Sequence, residues 1–295
     1  MIERKSWVEY AMDIFIYAFL SLFTLFCFLP LWIMLVASFT DDVVLRTQGY
    51  LPWASKWSLE AYKWVLMGAE IRTGYRVTTT VTVVGTLLSL LIMACLGYVL
   101  SVRRFRWRLK LAFYVYFTMV FSGGIIPWYI TCRMLGLHDN IWALIVPMLV
   151  NPWWVFVLRN FYSSIPPELV ESAYIDGASD AQILYRLVLP LSLPAMATVG
   201  LFTSVAYWND WWHGVILLDF AKFRPLSIII LRMLNNLESL VKAMQYPGAS
   251  VRLEDIPTEA VRMATTALTI GPIILVYPFV QRYFIRGLMV GAIKG

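Results

Sequence analysis

Long apolar runs dominate the pattern of hydrophobic and polar positions along this chain. A helix of about 20 apolar residues spans the hydrocarbon core of a bilayer, so each such run predicts a transmembrane helix. The runs lie near residues 14–39, 77–100, 111–131, 141–158, 191–207 and 264–284. We therefore predict an all-α membrane protein with six transmembrane helices, organised as one transmembrane domain over residues 1–295.

Composition agrees with a chain whose main solvent is lipid. Of the 295 residues, 60% are hydrophobic and only 14% are charged, whereas a soluble domain of this length carries more charge on its surface. The net charge of +6 does not indicate nucleic acid, and it fits anionic lipid and orientation signals better than attraction of anionic substrates. The first run follows Arg4 and Lys5 but is too long for a signal peptide, so we expect it to be retained.

The orientation of the spans follows from one short loop. Residues 103–110 read Arg-Arg-Phe-Arg-Trp-Arg-Leu-Lys and so contain five basic residues in eight positions. Short loops rich in Lys and Arg remain in the cytoplasm. Six spans then place both termini in the cytoplasm, with longer outer segments near residues 40–76 and 208–263.

The cytoplasmic segment 160–190 is unusually rich in acidic residues for this chain. Pro166 and Pro167 suit the first turn of a helix, where a missing N–H costs nothing. Gly177 suits the left-handed position that ends a helix. Ser179 and Gln182 then match the capping box Ser-x-x-Gln, which starts another helix. The segment predicts a helix, a glycine turn and a second helix beneath the membrane.

We expect the second helix to end before Pro190. Small residues in this segment would let the surface of another protein approach the backbone, and its carboxylates would anchor basic side chains. These carboxylates belong to Glu168, Glu171, Asp176 and Asp180. Physical chemistry alone leaves two interpretations open, a docking element for a cytoplasmic partner and an ordinary amphipathic connector.

The same segment resembles the EAA loop of binding-protein-dependent ABC importers. The run from Glu171 to Gly177, followed by Leu187-Val-Leu-Pro190, keeps the spacing Glu-Ala-Ala, three residues, Gly, nine residues, Ile-x-Leu-Pro. Ser172 replaces the first alanine and Leu187 replaces the isoleucine. The resemblance implies a coupling helix that sits in a groove of an ATPase subunit. The implied coupling residues are Glu171, Ser172, Ala173, Asp176, Gly177, Ala178, Ser179, Leu189 and Pro190.

Most of the chain is similar to the maltose-type (MalG-like) sugar permeases, and within them to the LplC-like oligosaccharide subgroup. The similarity is carried by Phe121-Ser-Gly-Gly-Ile-Ile-Pro127, Leu135-Gly-Leu137, Trp208-Asn209 and the C-terminal residues 277–295. It implies the type I ABC importer permease fold in a bacterial inner membrane and a carbohydrate substrate. The association of the subgroup with polysaccharide fragments favours alginate or pectin oligosaccharides. At residues 75–79 the chain lacks the Asn-Thr pair of many relatives.

The resemblance also implies the partners of the chain. They are a second permease subunit that completes a heterodimer, two ATPase subunits and an extracytoplasmic substrate-binding protein. The sequence contains no Gly-x-x-x-x-Gly-Lys-Ser/Thr phosphate loop, so we expect a non-catalytic subunit without a cofactor, with ATP–Mg bound by the separate ATPase. Three cysteines and two histidines without paired spacing indicate no metal site.

Three polar and aromatic clusters are candidates for the substrate pathway. Sugars stack on aromatic rings and form hydrogen bonds with amides and charged groups, and the clusters offer this chemistry. An alternative is that the tryptophans anchor the spans at the membrane interface. The candidate pathway residues are Asn151, Trp153, Trp154, Trp208, Asn209 and Asp210. Trp128 and Tyr129 form a third aromatic pair.

Two other functions remain as alternatives. The EAA pattern alone is compatible with an importer of the same class for a solute other than sugar. A secondary transporter would need ionisable residues within its spans, and the predicted spans contain essentially none. A permease subunit of a sugar importer is therefore the favoured hypothesis.

Overall fold

The computed structural model describes residues 7–219, 223–232, 235, 259–272 and 274. These residues form helices joined by turns, and within them the β pairing is limited to one antiparallel bridge between Thr40 and Trp57. The predicted all-α class is confirmed. The predicted span 264–284 lies only partly within the described residues. The chain divides into two compact units, Met1–Ala69 with Ile230–Gly271 and Glu70–Ile229 with Pro272–Gly295.

The first unit contains helices α1 (Trp7–Ser38), α2 (Asp42–Gln48) and α3 (Glu60–Met67). Helix α1 covers the first predicted span, and its apolar side chains are largely exposed, as suits a helix surrounded by lipid. The short helices lie in the predicted outer segment. Asp41 caps α2 by accepting a hydrogen bond from the Val43 N–H at 3.1 Å.

The second unit is arranged around helix α4 (Ala69–Ser101), which covers the second predicted span and begins before it. Two groups of buried apolar residues lie along α4. The group near Ser101 includes residues of four other helical segments, and its members on α4 are Met93, Tyr98 and Leu100. The group towards Ala69 includes Val77 and Val81. Helix α4 therefore contributes to both of these buried groups.

Small residues on α4 allow close packing against its neighbours. A Cβ atom added at Gly97 would lie 3.3 Å from both the Arg159 nitrogen and the Val155 carbonyl oxygen. One added at Gly85 would lie 2.6 Å from the ring of Tyr207. Glycine at these positions lets the helices approach closely, which is common in membrane helix packing.

We expect the substitution Gly85→Ala to destabilise the second unit by about 1–3 kcal/mol, the usual cost of overpacking. Movement of the Tyr207 ring would break its hydrogen bonds, because the hydroxyl donates to the Ile145 carbonyl at 2.9 Å and lies 3.1 Å from Ser89 Oγ. Thermal unfolding of the purified protein measures the effect. Gly123→Ala is the control, since no atom lies within 4 Å of a Cβ added there. Equal unfolding temperatures for both variants would contradict the packing argument.

The third predicted span, 111–131, is broken into two helices. It forms α5 (Arg108–Val120) and α6 (Ile125–Met134), whose axes differ by 117°. Helix α5 ends at Val120, and Gly124, directly before α6, has φ +87°, a conformation that other residues rarely adopt. The break therefore lies at the glycines, and Pro127 is tolerated in the first turn of α6.

The fourth predicted span is also bent, whereas the fifth, 191–207, lies within one helix apart from its first two residues. Two short 3₁₀ turns, Ile141–Leu144 and Val146–Met148, precede α7 (Pro152–Ser163) at an angle of 49°. The helix α11 (Leu193–Trp208) follows a bend of 82° from the helical segment Asp180–Leu191. By length and composition, the described residues contain two helices that can cross a membrane, or up to five if each bent pair is one span.

Candidate functional site

The predicted helix, glycine turn and helix are present in the loop after α7. Helix α8 spans Pro167–Ile175 and is followed by Gly177 with φ +78°. The Gly177 N–H donates to the Tyr174 carbonyl at 3.0 Å, and the Ala178 N–H donates to the Ala173 carbonyl at 2.9 Å. These two bonds form a Schellman motif, which satisfies carbonyls at the end of the helix. Gly177 therefore sets the sharp turn of the loop.

The predicted capping box starts the second helix. The Ser179 N–H donates to Gln182 Oε1 at 2.8 Å, and the Gln182 N–H donates to Ser179 Oγ at 3.4 Å. The helix α9 (Asp180–Ile183) continues through a π-helical turn, Leu184–Val188, into α10 (Leu189–Leu191). The expectation that it ends before Pro190 is wrong.

The π-helical turn explains how the chain continues through Pro190. In an α-helix a proline ring clashes with the carbonyl four residues earlier. Here the Leu189 N–H donates to the Leu184 carbonyl, five residues back, and the widened turn relieves that contact. The chain bends only after Leu191, where α11 begins.

Burial divides the expected coupling residues into two sets. Ala173, Ala178 and Leu189 are partly buried and pack on the apolar group at the Ser101 end of α4. The other members are exposed, and they are Glu171, Ser172, Asp176, Gly177, Ser179 and Pro190. One side of the loop is thus fixed on its own chain, and the other side is available to a partner.

The exposed side contains an apolar residue that our sequence analysis did not select. Ile175 ends α8 with 86% of its surface exposed. Residues 168, 171, 172 and 175 are spaced i, i+3, i+4 and i+7, so they share one helix face. We call this set, Glu168, Glu171, Ser172 and Ile175, the docking stripe. The helical period counted from Glu171 could have identified Ile175 from the sequence.

A cluster of polar residues joins the loop to the chain that follows α4. Arg104 Nη2 lies 2.7 Å from Asp180 Oδ2, and the Tyr174 hydroxyl donates to Asp180 Oδ1 at 2.7 Å. The hydrogen bond from Tyr174 and the positive charge of Arg104 lower the pKa of Asp180 below its ordinary value. The carboxylate is therefore ionised at neutral pH, and the ion pair is lost only in acid.

The candidate pathway residues of α7 have different environments. Asn151 caps α7, because its Oδ1 accepts a hydrogen bond from the Trp153 N–H at 3.0 Å. Trp153 is 57% exposed, whereas Trp154 stacks on Phe202 of α11 with ring centroids 5.1 Å apart. Trp154 thus joins two helices, and Trp153 is the better placed of the two for contact with a ligand or lipid.

The pathway candidates after α11 are held by local contacts. Asn209 ends α11 and its Nδ2 donates to the Val205 carbonyl at 3.0 Å. Asp210 Oδ1 lies 2.9 Å from Nδ1 of His213 and is largely buried. Trp208 lines a cavity of about 240 Å³ together with Thr79, Thr82, Val83, Leu201, Ser204, Val205 and Pro272. This cavity places hydroxyl-bearing side chains beside an indole ring.

Trp128, of the candidate pair Trp128–Tyr129, contacts the segment after α11. The ring of Trp128 lies 4.7 Å from Trp212 and 5.5 Å from His213, measured between centroids. The structure therefore brings Trp128 of α6 next to the residues that follow Asp210. The pair Trp128–Tyr129 therefore meets the cluster after α11, while Trp154 of the α7 cluster stacks on α11 itself.

Comparison with known proteins matches most of this chain to one family and to two relatives. Residues 93–290 match the family described as "Binding-protein-dependent transport system inner membrane component". The chain is 36% identical to the polygalacturonan/rhamnogalacturonan transport system permease protein YtcP of Bacillus subtilis, with 96% of this chain and 98% of that protein covered. It is 34% identical to the protein LplC of the same organism, with 90% and 89% covered.

A solved structure with a similar fold is described as a bacterial ABC transporter involved in the import of the acidic polysaccharide alginate. The likeness has a TM-score of 0.84 at 30% identity and covers 95% of this chain and 99% of that one. The high score over nearly the whole length supports the predicted permease fold.

Proposed function

This chain belongs to the family of binding-protein-dependent transport system inner membrane components, and we propose that it forms half of the pore of an ATP-driven carbohydrate importer. The observation that carries the proposal is the exposed docking stripe on α8, within a loop that keeps the EAA spacing. An exposed apolar side chain flanked by carboxylates is typical of a surface that is covered by a partner.

We infer the following assembly. A second, related permease subunit completes the heterodimeric pore, and a substrate-binding protein delivers the sugar from outside. Two ATPase subunits bind ATP–Mg and dock on the cytoplasmic loops, so this chain performs no ATP chemistry itself. Both of its termini lie in the cytoplasm, as the basic loop at 103–110 indicates.

Coupling follows from the way the loop is built. Closure of the ATPase subunits on ATP would displace the docking stripe. Ala173 and Leu189 pack on the apolar group at the Ser101 end of α4, so the displacement would reach the spans through that packing. Because packed interiors move between discrete arrangements rather than deform continuously, the pore would alternate between two states.

We propose that the substrate is an acidic oligosaccharide. YtcP is named for polygalacturonan and rhamnogalacturonan, and the structural relative is described as an importer of alginate. These polymers share uronic acid units, whose ring faces stack on aromatic side chains and whose hydroxyls form hydrogen bonds. Trp153, Trp208 and Asn209 are the pathway residues we propose for such contacts. Asn151 and Asp210 would hold the neighbouring backbone, and Trp154 would join α7 to α11.

ATPase stimulation tests the substrate class. The complete complex, reconstituted in proteoliposomes with its binding protein, is expected to hydrolyse ATP severalfold faster with oligogalacturonides or alginate oligomers than without glycan. Neutral maltooligosaccharides of matched length are the control. Stimulation by the neutral sugars alone would contradict an acidic substrate. The absence of stimulation by any glycan would contradict the carbohydrate proposal as a whole.

A further inference from the structure

Arg104, Tyr174 and Asp180 form a closed triangle in which each side chain touches the other two. Arg104 and Asp180 form the ion pair at 2.7 Å, and Tyr174 donates its hydroxyl to the same carboxylate at 2.7 Å. The third side is a cation–π contact, with Arg104 Cζ 3.9 Å from the centroid of the Tyr174 ring. We call these three residues the loop clamp.

The loop clamp holds both arms of the loop formed by α8, the turn at Gly177 and α9, which we call the coupling loop. Tyr174 lies on α8 and Asp180 begins α9, so the two residues stand on opposite sides of the turn at Gly177. Because Arg104 contacts both, a large change in the angle between α8 and α9 would break at least one of its two contacts. The clamp therefore fixes the shape of the loop as well as its position.

The loop clamp also connects the loop directly to α4. Arg104 follows the end of α4 after two intervening residues, and the Val102 N–H still donates to the Tyr98 carbonyl at 3.1 Å. The Tyr98 hydroxyl lies 3.4 Å from Asp180 Oδ1, a weaker contact from the last turn of the same helix. These contacts join the loop to the end of α4 directly, without α7 or α11 as intermediates.

The exposure of the pair argues against a purely stabilising role. The side chains of Arg104 and Asp180 are 56% and 54% exposed, and ion pairs at such positions contribute little to folding. The planar guanidinium stacked on Tyr174 has a defined geometry, which a flexible surface pair lacks. Such a contact is suited to transmitting a direction of movement.

We propose that the loop clamp is a positioning device that transmits ATP-driven movement of the coupling loop to α4, a helix that contributes to both the buried group near Ser101 and the one towards Ala69. The inference rests on the proposed importer function and deepens it. It assigns Arg104, which lies outside the EAA pattern, a role in coupling. It also assigns Tyr174 and Asp180 roles distinct from contact with the ATPase.

The test is the amount of oligosaccharide imported per ATP hydrolysed by the complete reconstituted complex. Arg104→Ala and Asp180→Asn are each expected to lower this ratio about three- to tenfold, the range typical of residues that carry coupling. Arg103→Ala is the matched control, because Arg103 is an exposed neighbour of the same charge that makes no ion pair within the described residues. We expect this control to keep the wild-type ratio.

A charge exchange separates coupling from folding and assembly. The double variant Arg104→Asp with Asp180→Arg restores an ion pair and is expected to recover part of the lost ratio, with thermal unfolding similar in all variants. Equal ratios for Arg104→Ala and Arg103→Ala would overturn the loop clamp. The loop clamp would also be overturned if the single variants lost the ATPase subunits and the charge exchange did not restore their binding. A wild-type complex without ATP-driven uptake would overturn the importer function together with the inference.

Discussion

Replacing Ile175 by aspartate is expected to release the ATPase subunits from the purified complex and to abolish transport. Ile175 is 86% exposed in the isolated chain and lies at the C-terminal end of the docking stripe. A groove that covers this side chain would have to bury a carboxylate instead. Loss of an apolar anchor that a partner fully covers costs about 2 kcal/mol or more, which corresponds to at least roughly 30-fold in affinity.

Co-purification of the ATPase and ATP-driven uptake measure this effect. Ile175→Leu is the matched control, because it keeps the apolar volume, and it is expected to retain the ATPase and most of the uptake. The substituted side chain is exposed, so membrane insertion and thermal unfolding of the isolated permease are expected to change little for both variants. If Ile175→Asp retained the ATPase as well as Ile175→Leu does, the docking stripe would not be the contact surface.

Much of the coupling loop was predictable because its conformation is set by local interactions. Proline at the start of α8, glycine at the left-handed turn and the Ser179–Gln182 capping box each act within a few residues. The sequence therefore contains their full physical cause. The π-helical turn before Pro190 was missed, because the proline rule assumes the regular α-helical hydrogen bond, which this segment replaces with a longer one.

Long-range contacts were not predictable in the same way. Arg104 was identified from its basic surroundings as a marker of orientation, yet its partner Asp180 lies 76 positions further along the chain. Nothing in the spacing of the two residues indicates that they meet. The break in the third span was signalled by two glycines, but hydropathy alone does not distinguish packing glycines from a helix end. Of the two, only Gly124 has a positive φ.

The candidate pathway illustrates a different limit. The sequence identified the tryptophans and amides at the ends of spans, and composition alone could not assign each to lipid, packing or ligand. The structure distinguishes Trp154, which stacks on Phe202, from Trp153, which is exposed. That distinction depends on how α7 meets α11, and the same hydrophobic pattern is compatible with several such arrangements.

Replacing Gly177 by alanine is expected to lower transport about tenfold while leaving the spans inserted. Gly177 has φ +78°, and a side chain in this left-handed conformation costs about 1–2 kcal/mol. No atom lies within 4 Å of an added Cβ, so the cost is backbone strain and not a clash. We expect the ATPase groove to accept only the bent conformation of the loop. A strain of about 1.4 kcal/mol in that conformation would then lower the fraction of docked complex about tenfold.

Gly136 provides an unusually close control for this prediction. It has φ +73°, and no atom lies within 4 Å of an added Cβ. The same pair of turn hydrogen bonds is present: the Gly136 N–H donates to the Arg133 carbonyl, and the Leu137 N–H donates to the Cys132 carbonyl. Gly136→Ala should therefore cost similar stability in thermal unfolding. It follows α6, outside the coupling loop, so ATP-driven uptake should remain near the wild-type rate. Equal loss of uptake in the two variants would mean that Gly177 acts through stability alone, whereas a loss confined to Gly177→Ala ties the turn itself to coupling.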